Sequence, residues 1–191
     1  MMIATILDYG AGNLHSLVKA VAASGVSARV ESDVERAVET DLLVLPGVGA
    51  FPFAAAHLAE KREVVRRAVL GGLPTVGICL GMQLLFESSE EGPGDGLGVL
   101  NGAVTRLAAK RLPHIGWNSV EGAAIDRAYF ANSFACRPAD EAVVSAWTTH
   151  EGDRFPAIVR SAAICGIQFH PEKSSMLGVA LLGDLLREVT Q

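Results

Sequence analysis

The chain has 191 residues, half of them apolar and 19% charged, with a net charge of −5, which suffices for one domain with a sizeable core. Its 16 lysines and arginines are scattered and outnumbered by 21 acids, so a basic-patch nucleic-acid binder is excluded. Three cysteines without a C-x-x-C pair fit neither a disulfide framework nor a structural zinc site, and point to a reducing, cytoplasmic compartment.

In chain order, residues 3–7 read as a first strand that runs straight on from Met1-Met2, with no basic leader region before it. It ends at Asp8-Tyr9-Gly10-Ala11-Gly12-Asn13. Leu14, Leu17, Val18 and Val21 then recur at helical spacing, and Gly25 is a plausible stop. Residues 26–30 form a second strand, and Ser32 or Asp33 can cap a short helix over 34–39. Leu42-Leu43-Val44-Leu45 is a buried strand ending at Pro46-Gly47-Val48-Gly49-Ala50-Phe51, a glycine loop without the Lys-Ser/Thr of a P-loop. Residues 53–58 and 64–70 are helical up to Gly71-Gly72. The uncharged stretch 68–86 is near membrane-span length, but its four glycines, Pro74 and Gln83 mark it as helix end, strand and helix start; no membrane span is expected.

Strands alternating with helices through short turns predict an α/β fold, a flavodoxin-like doubly wound, mostly parallel sheet forming one domain over residues 1–191. Sites in such sheets lie beyond the carboxyl ends of the strands. Past Phe86 the composition changes. Residues 87–98 are an acidic, glycine-rich surface loop. Apolar runs at 99–107, 142–147 and 157–159 suit antiparallel strands added to the same sheet. A last strand, 164–169, stops at His170, and Leu177, Leu181, Leu182, Leu185 and Leu186 make a closing amphipathic helix.

Chemistry concentrates at Gly77-Ile78-Cys79-Leu80-Gly81, a G-x-nucleophile-x-G bracket between an apolar strand and a helix expected from Met82 onward. The glycines permit a sharp turn where a Cβ would collide with neighbouring elements. A side chain on that turn leaves the sheet at a helix N-terminus, where unpaired N–H groups favour a thiolate and a developing oxyanion. A nucleophile needs a base and the base an orienting group. His170 leaves a strand end with Glu172 two residues on, and in extended backbone those two side chains share a side. Cys79, His170 and Glu172 are therefore the candidate triad. His57 reads as a charged helical face and His150 as a turn; His15 is either partly buried or at the rim. Cys165 reads as core, and Cys136 fits either role. Metal-ligand spacing is absent, so no metal is expected.

The motifs Asp8-Tyr9-Gly10-x-Gly12-Asn13-Leu14, Pro46-Gly47-Val48-Gly49-Ala50-Phe51, the elbow through Phe86, Pro113-His114-Ile115-Gly116-Trp117-Asn118 and Gln168-Phe169-His170-Pro171-Glu172-Lys173-Ser174 run from the first strand to the last helix. With them the chain resembles the class I (triad) glutamine amidotransferases, and closely resembles the glutaminase subunits of imidazole glycerol phosphate synthase. The resemblance implies glutamine hydrolysis through a Cys79 thioester without a cofactor. It implies oxyanion donors at Leu80 and the Val48-Gly49 loop, close approach at Gly47 and Gly49, and substrate contacts from Gln83 and Ser133. It also implies a heterodimer with a (β/α)₈-barrel cyclase, met by Asn13, Trp117, Asn118 and Lys173, in histidine biosynthesis. Glutaminases of anthranilate or nucleotide synthases are the alternative, and should lack the 113–118 segment. One departure stands out: Asn132 and Phe134 occupy positions where the family usually has histidine and tyrosine, in a loop expected to line the glutamine pocket.

Overall fold

The computed structural model describes residues 2–10, 14–47 and 49–191. The elements in order are β1 (Ile3–Leu7), α1 (His15–Ala23), β2 (Ser27–Glu31), α2 (Val34–Ala37), β3 (Leu42–Leu45), α3 (Phe51–Leu58), α4 (Arg62–Leu70), β4 (Thr75–Ile78) and α5 (Leu80–Leu84). Then come β5 (Ser88–Ser89), β6 (Gly102–Arg106), β7 (His114–Ser119), β8 (Arg127–Asn132), β9 (Phe134–Pro138), β10 (Val144–His150), β11 (Asp153–Ser161), β12 (Ile164–Ile167) and α6 (Ser175–Glu188). Short 3₁₀ turns occupy Glu141–Val143 and Pro171–Lys173.

The main sheet has the order β10-β11-β12-β4-β3-β1-β2, parallel from β12 to β2 with β10 and β11 antiparallel at one edge. This is the α/β architecture expected from the alternating pattern. Both faces are covered, which is why β3 reads as an unbroken apolar run. Leu42 and Val44 join one hydrophobic cluster with residues of α1 and α6, while Leu43 and Leu45 join another with residues of α2, α3, α4 and α5. Asp33, not Ser32, caps α2, its carboxylate accepting from Arg36 N–H at 3.0 Å.

Three expectations are corrected. The run at 99–107 does not extend the main sheet: β6 pairs with β5 and β9 in a separate three-stranded sheet. The runs at 142–147 and 157–159 do join the main sheet as expected, within the edge hairpin β10–β11, closed locally at Glu151 and Gly152, both with positive φ. The segment around Asn132 is not a loop but strand β8, paired antiparallel with β7 and continuing into β9. In α6, the buried stripe is Leu181, Leu182, Leu185 and Leu186, whereas Leu177 lies on the first turn and is exposed.

The elbow is tighter than the sequence indicates, because α5 begins at Leu80 rather than Met82. Cys79 absorbs the whole change of direction at φ 47°, and its carbonyl already accepts the Gln83 N–H at 3.1 Å. A Cβ on Gly81 would overlap the Leu45 carbonyl oxygen, and one on Gly77 would lie 2.5 Å from the Gly81 carbonyl oxygen. Gly81→Ala is therefore expected to destabilise the protein by about 3 kcal/mol or more through backbone overlap. Gly152→Ala, with open space around it but φ 92°, should cost only about 1 kcal/mol. Chemical denaturation of the two variants checks this ordering; equal losses would contradict the close-approach reading of the elbow.

Candidate active site

Cys79, His170 and Glu172 come together beyond the carboxyl ends of β4 and β12, which are adjacent and parallel. The Cys79 N–H donates to Ile167 O at 2.6 Å, binding the elbow to the strand that delivers His170. His170 Nδ1–H donates to Glu172 Oε1 at 2.8 Å, with the two side chains 5% and 8% exposed. The pair does not form through extended backbone as the spacing indicates. His170 is extended, but Glu172 sits in the 3₁₀ turn Pro171–Lys173, which folds the carboxylate back under the ring.

Burial acts to lower the His170 pKa, but hydrogen bonds to Cys79 and Glu172 and the attraction of both outweigh it, lifting the imidazole to about 10. The His170 backbone is held at both its polar atoms. Its backbone N–H donates to Tyr129 O at 2.9 Å, its carbonyl accepts from Ser174 Oγ at 2.7 Å, and the same hydroxyl accepts Tyr129 N–H at 2.9 Å. Gly47 lies against both reacting groups: a Cβ there would stand 2.9 Å from Cys79 Cβ and 3.1 Å from His170 Cε1. The other cysteines are unlike Cys79. Burial pushes the Cys165 thiol up to about 12 and raises Cys136 well above the ordinary thiol range, so both are inert core residues.

A cavity of about 200 Å³ opens beside Cys79, lined by Gly49, Leu80, Gln83, Glu91, Ser133 and Phe134 among others. Leu80 opens α5, so its N–H has no acceptor within the helix. With five residues α5 has little macrodipole, and the electrostatic help comes from individual N–H groups rather than from the helix as a whole. Gln83 Nε2 donates to Phe134 O at 3.2 Å across the cavity floor. Val48 and Asn13 lie outside the described residues.

Trp117 stands on the outward face of β7, 48% exposed, beside Ile115 at 63%. Tyr129 meets its edge at 6.5 Å, and Lys173 Nζ lies 6.0 Å from the Tyr129 ring. Asn118 departs from the expected grouping. Strand alternation turns its side chain to the other face, where Nδ2 donates to Thr149 O at 2.9 Å. His15 and His57 are exposed, while His150 stacks on His114.

Two residues at the site escaped sequence reasoning. Gln168 places Nε2 3.6 Å from Cys79 Sγ; its period-2 spacing to His170 is the signal that could have found it. Glu91 reaches the cavity from the acidic loop, its Oε2 accepting Phe51 N–H at 2.9 Å, and no local pattern distinguishes it from its acidic neighbours.

Residues 5–186 match the family described as glutamine amidotransferase class-I. The chain belongs to that family. It is 42% identical over 195 residues to the imidazole glycerol phosphate synthase subunit HisH of Methanopyrus kandleri, covering 95% of this chain and 96% of that protein. It is 37% identical over 205 residues to the same subunit of Acaryochloris marina, covering 99% and 96%. A solved glutamine amidotransferase superposes with a TM-score of 0.79 at 23% identity, covering 98% of both chains. The structure of PurLQS from Thermotoga maritima gives 0.72 at 18% identity, covering 100% of this chain and 98% of that one; both likenesses bear on the fold. Among the described residues no helix is long and apolar enough to cross a membrane.

The raised His170 pKa has a stability consequence whose sign is fixed. A histidine lifted from 6.5 to about 10 stabilises the fold fully below pH 6.5, and that contribution is lost as the pH rises through about 10. Glu172→Gln removes one of the two supports, so unfolding free energy should fall less steeply between pH 6.5 and 10 than in the parent. Urea denaturation across that range checks it; an unchanged slope would contradict the assigned cause.

Proposed function

We propose that this chain is the glutaminase subunit of an imidazole glycerol phosphate synthase, a one-domain cytoplasmic enzyme of histidine biosynthesis. The observation that carries the chemistry is the assembly of Cys79, His170 and Glu172 beside a glutamine-sized cavity. The Cys79 sulfur attacks the side-chain amide carbon of L-glutamine. His170, oriented through Nδ1 by Glu172, donates a proton to the leaving ammonia, then takes one from the water that hydrolyses the thioester to glutamate. Leu80 N–H, with the 48–49 backbone, receives the oxyanion. Gln83, Ser133 and Glu91 hold the substrate's amino-acid end, Glu91 as counter-charge to its ammonium. The route uses protein groups alone and needs no metal or cofactor.

The relatives' names and the outer face of β7 support a partner subunit as the receiver of the ammonia. Ile115, Trp117, Tyr129 and Lys173 form an apolar and basic rim, with Met176 and Leu177 exposed at the start of α6 beyond Ser174. This rim receives a (β/α)₈-barrel cyclase that uses the ammonia to form imidazole glycerol phosphate and an aminoimidazole carboxamide ribotide. Lys173 contributes to the same face, and Asn118 supports it from behind. Ammonia freed into neutral water is mostly protonated and lacks the lone pair needed for attack, so hydrolysis has to be matched to a waiting acceptor. Tyr129 supplies a connection: its ring meets Trp117, and its carbonyl holds the His170 backbone.

Glutamine turnover by the isolated chain is expected to be low and to rise strongly with cyclase and its ligand. Cys79→Ala should lower glutamine hydrolysis by on the order of 10⁴. In complex that variant should keep synthase activity with added ammonia and lose it with glutamine. Equal turnover with and without liganded cyclase would defeat the gating, and failure to bind any cyclase would favour the anthranilate or nucleotide synthases.

A further inference from the structure

His114 and Asn132 face each other directly in the β7–β8 register, each 5% exposed. The His114 ring is stacked on Phe130 at 5.1 Å and on His150 at 4.1 Å. Two buried atoms here have no other partner: His114 Nδ1 and Asn132 Oδ1. Their neighbours fix which atom can donate. Asn118 Oδ1 accepts Ser119 N–H at 2.8 Å, so the Asn118 amide nitrogen is the atom 3.3 Å from His114 Nε2. An amide nitrogen only donates, so Nε2 accepts, and the proton of the neutral ring sits on Nδ1. On the other strand Asn132 Nδ2 donates to Phe134 O at 3.0 Å, which turns Oδ1 toward the histidine. The same Phe134 carbonyl accepts Gln83 Nε2 at 3.2 Å.

We propose that His114 Nδ1–H donates to Asn132 Oδ1, and that Asn132 is thereby a positioning residue that sets Gln83 in the glutamine pocket. This rests on the glutaminase reading above. Donors and acceptors then alternate without a break from Thr149 O through Asn118, His114, Asn132 and Phe134 O to Gln83. Both lone pairs of the Phe134 carbonyl are used, and no buried polar atom of the series is left over. The arrangement requires a neutral imidazole, because a proton on Nε2 would face the Asn118 N–H. Burial, first, and then the adjacent His150 hold the His114 pKa down to about 4, so the ring stays neutral at physiological pH. Asn132 fills the role with both halves of its amide: it accepts from one strand and donates within the next. The series passes through Asn118 and His114 on β7, whose opposite face carries Ile115 and Trp117, so a change in the β7 backbone reaches the substrate side through it.

The test is glutamine kinetics of Asn132→Ala and Asn132→Asp in complex with the cyclase. KM should rise about tenfold while kcat changes less than about threefold, because the triad is untouched. In a Gln83→Ala background, Asn132→Ala should add less than about twofold to KM, since both losses pass through one carbonyl. Asn132→Asp keeps the volume and the acceptor but loses the donor, so it carries the kinetic test if Asn132→Ala fails to fold. Histidine-ring and glutamine side-chain nitrogen NMR of the isolated chain reads the bond separately. It should show the proton on Nδ1 of His114, a shifted Gln83 amide in Asn132→Asp, and a His114 midpoint raised from about 4 in that variant. An unchanged KM, penalties that multiply in the double variant, or a ring protonated on Nε2 would overturn the proposal. If the parent complex hydrolyses no glutamine, the functional reading fails by itself, and the NMR signals still decide the bond and its effect on Gln83.

Discussion

The site depends on one backbone constraint, the positive φ of Cys79. A non-glycine residue at φ 47° costs on the order of 1–3 kcal/mol and persists only where its surroundings over-determine it. Here they do. Ile167 O holds the Cys79 N–H, Cys79 O starts α5, and Gly77 and Gly81 let β4, α5 and β3 approach to backbone contact. A residue with ordinary φ would let the chain run on in the plane of the sheet. The strain directs the sulfur out of the sheet instead.

That one direction orders the remaining parts. Because β12 lies beside β4 in parallel register, the end of β12 delivers His170 to the sulfur, and the 3₁₀ turn after it returns Glu172 to the ring. The antiparallel β7–β8 pair then closes the site from outside. Tyr129 and Ser174 join its backbone to His170, while Asn132, Ser133 and Phe134 wall the cavity. The exposed face that carries Ile115 and Trp117 and the cavity side at Asn132 therefore belong to the same two strands. Coupling between distinct sites needs a physical connection of this kind.

Much of this was legible in the sequence, and the parts that were not share a cause. The parallel strands, the elbow and the triad announce themselves through local patterns: four-residue apolar runs, a glycine bracket, and a histidine–carboxylate spacing. The partner of β6 is set by contacts far along the chain, as is the strand character of 114–119 and 127–132, where the outward side chains Ile115 and Trp117 obscure the alternation. Glu91 shares its acidic loop with residues that do nothing at the site, and only the folded chain separates them. The Cys-His-Glu grouping was found for partly the wrong reason, since a 3₁₀ turn rather than extended backbone makes the contact. Asn132 was visible as a departure from the family pattern, but its link to His114 appears only when the two strands are paired.

The central claim is that the strained elbow makes Cys79, alone of the three cysteines, the nucleophile toward glutamine. The most direct measurement is peptide mass spectrometry of the folded chain, in complex with the proposed cyclase, after treatment with an electrophilic glutamine analogue. A single covalent adduct on Cys79, suppressed by excess glutamine and absent in His170→Ala at matched times, is the predicted result. An adduct on Cys136 or Cys165 with Cys79 unmodified, or labelling of Cys79 that glutamine does not suppress, would contradict the account.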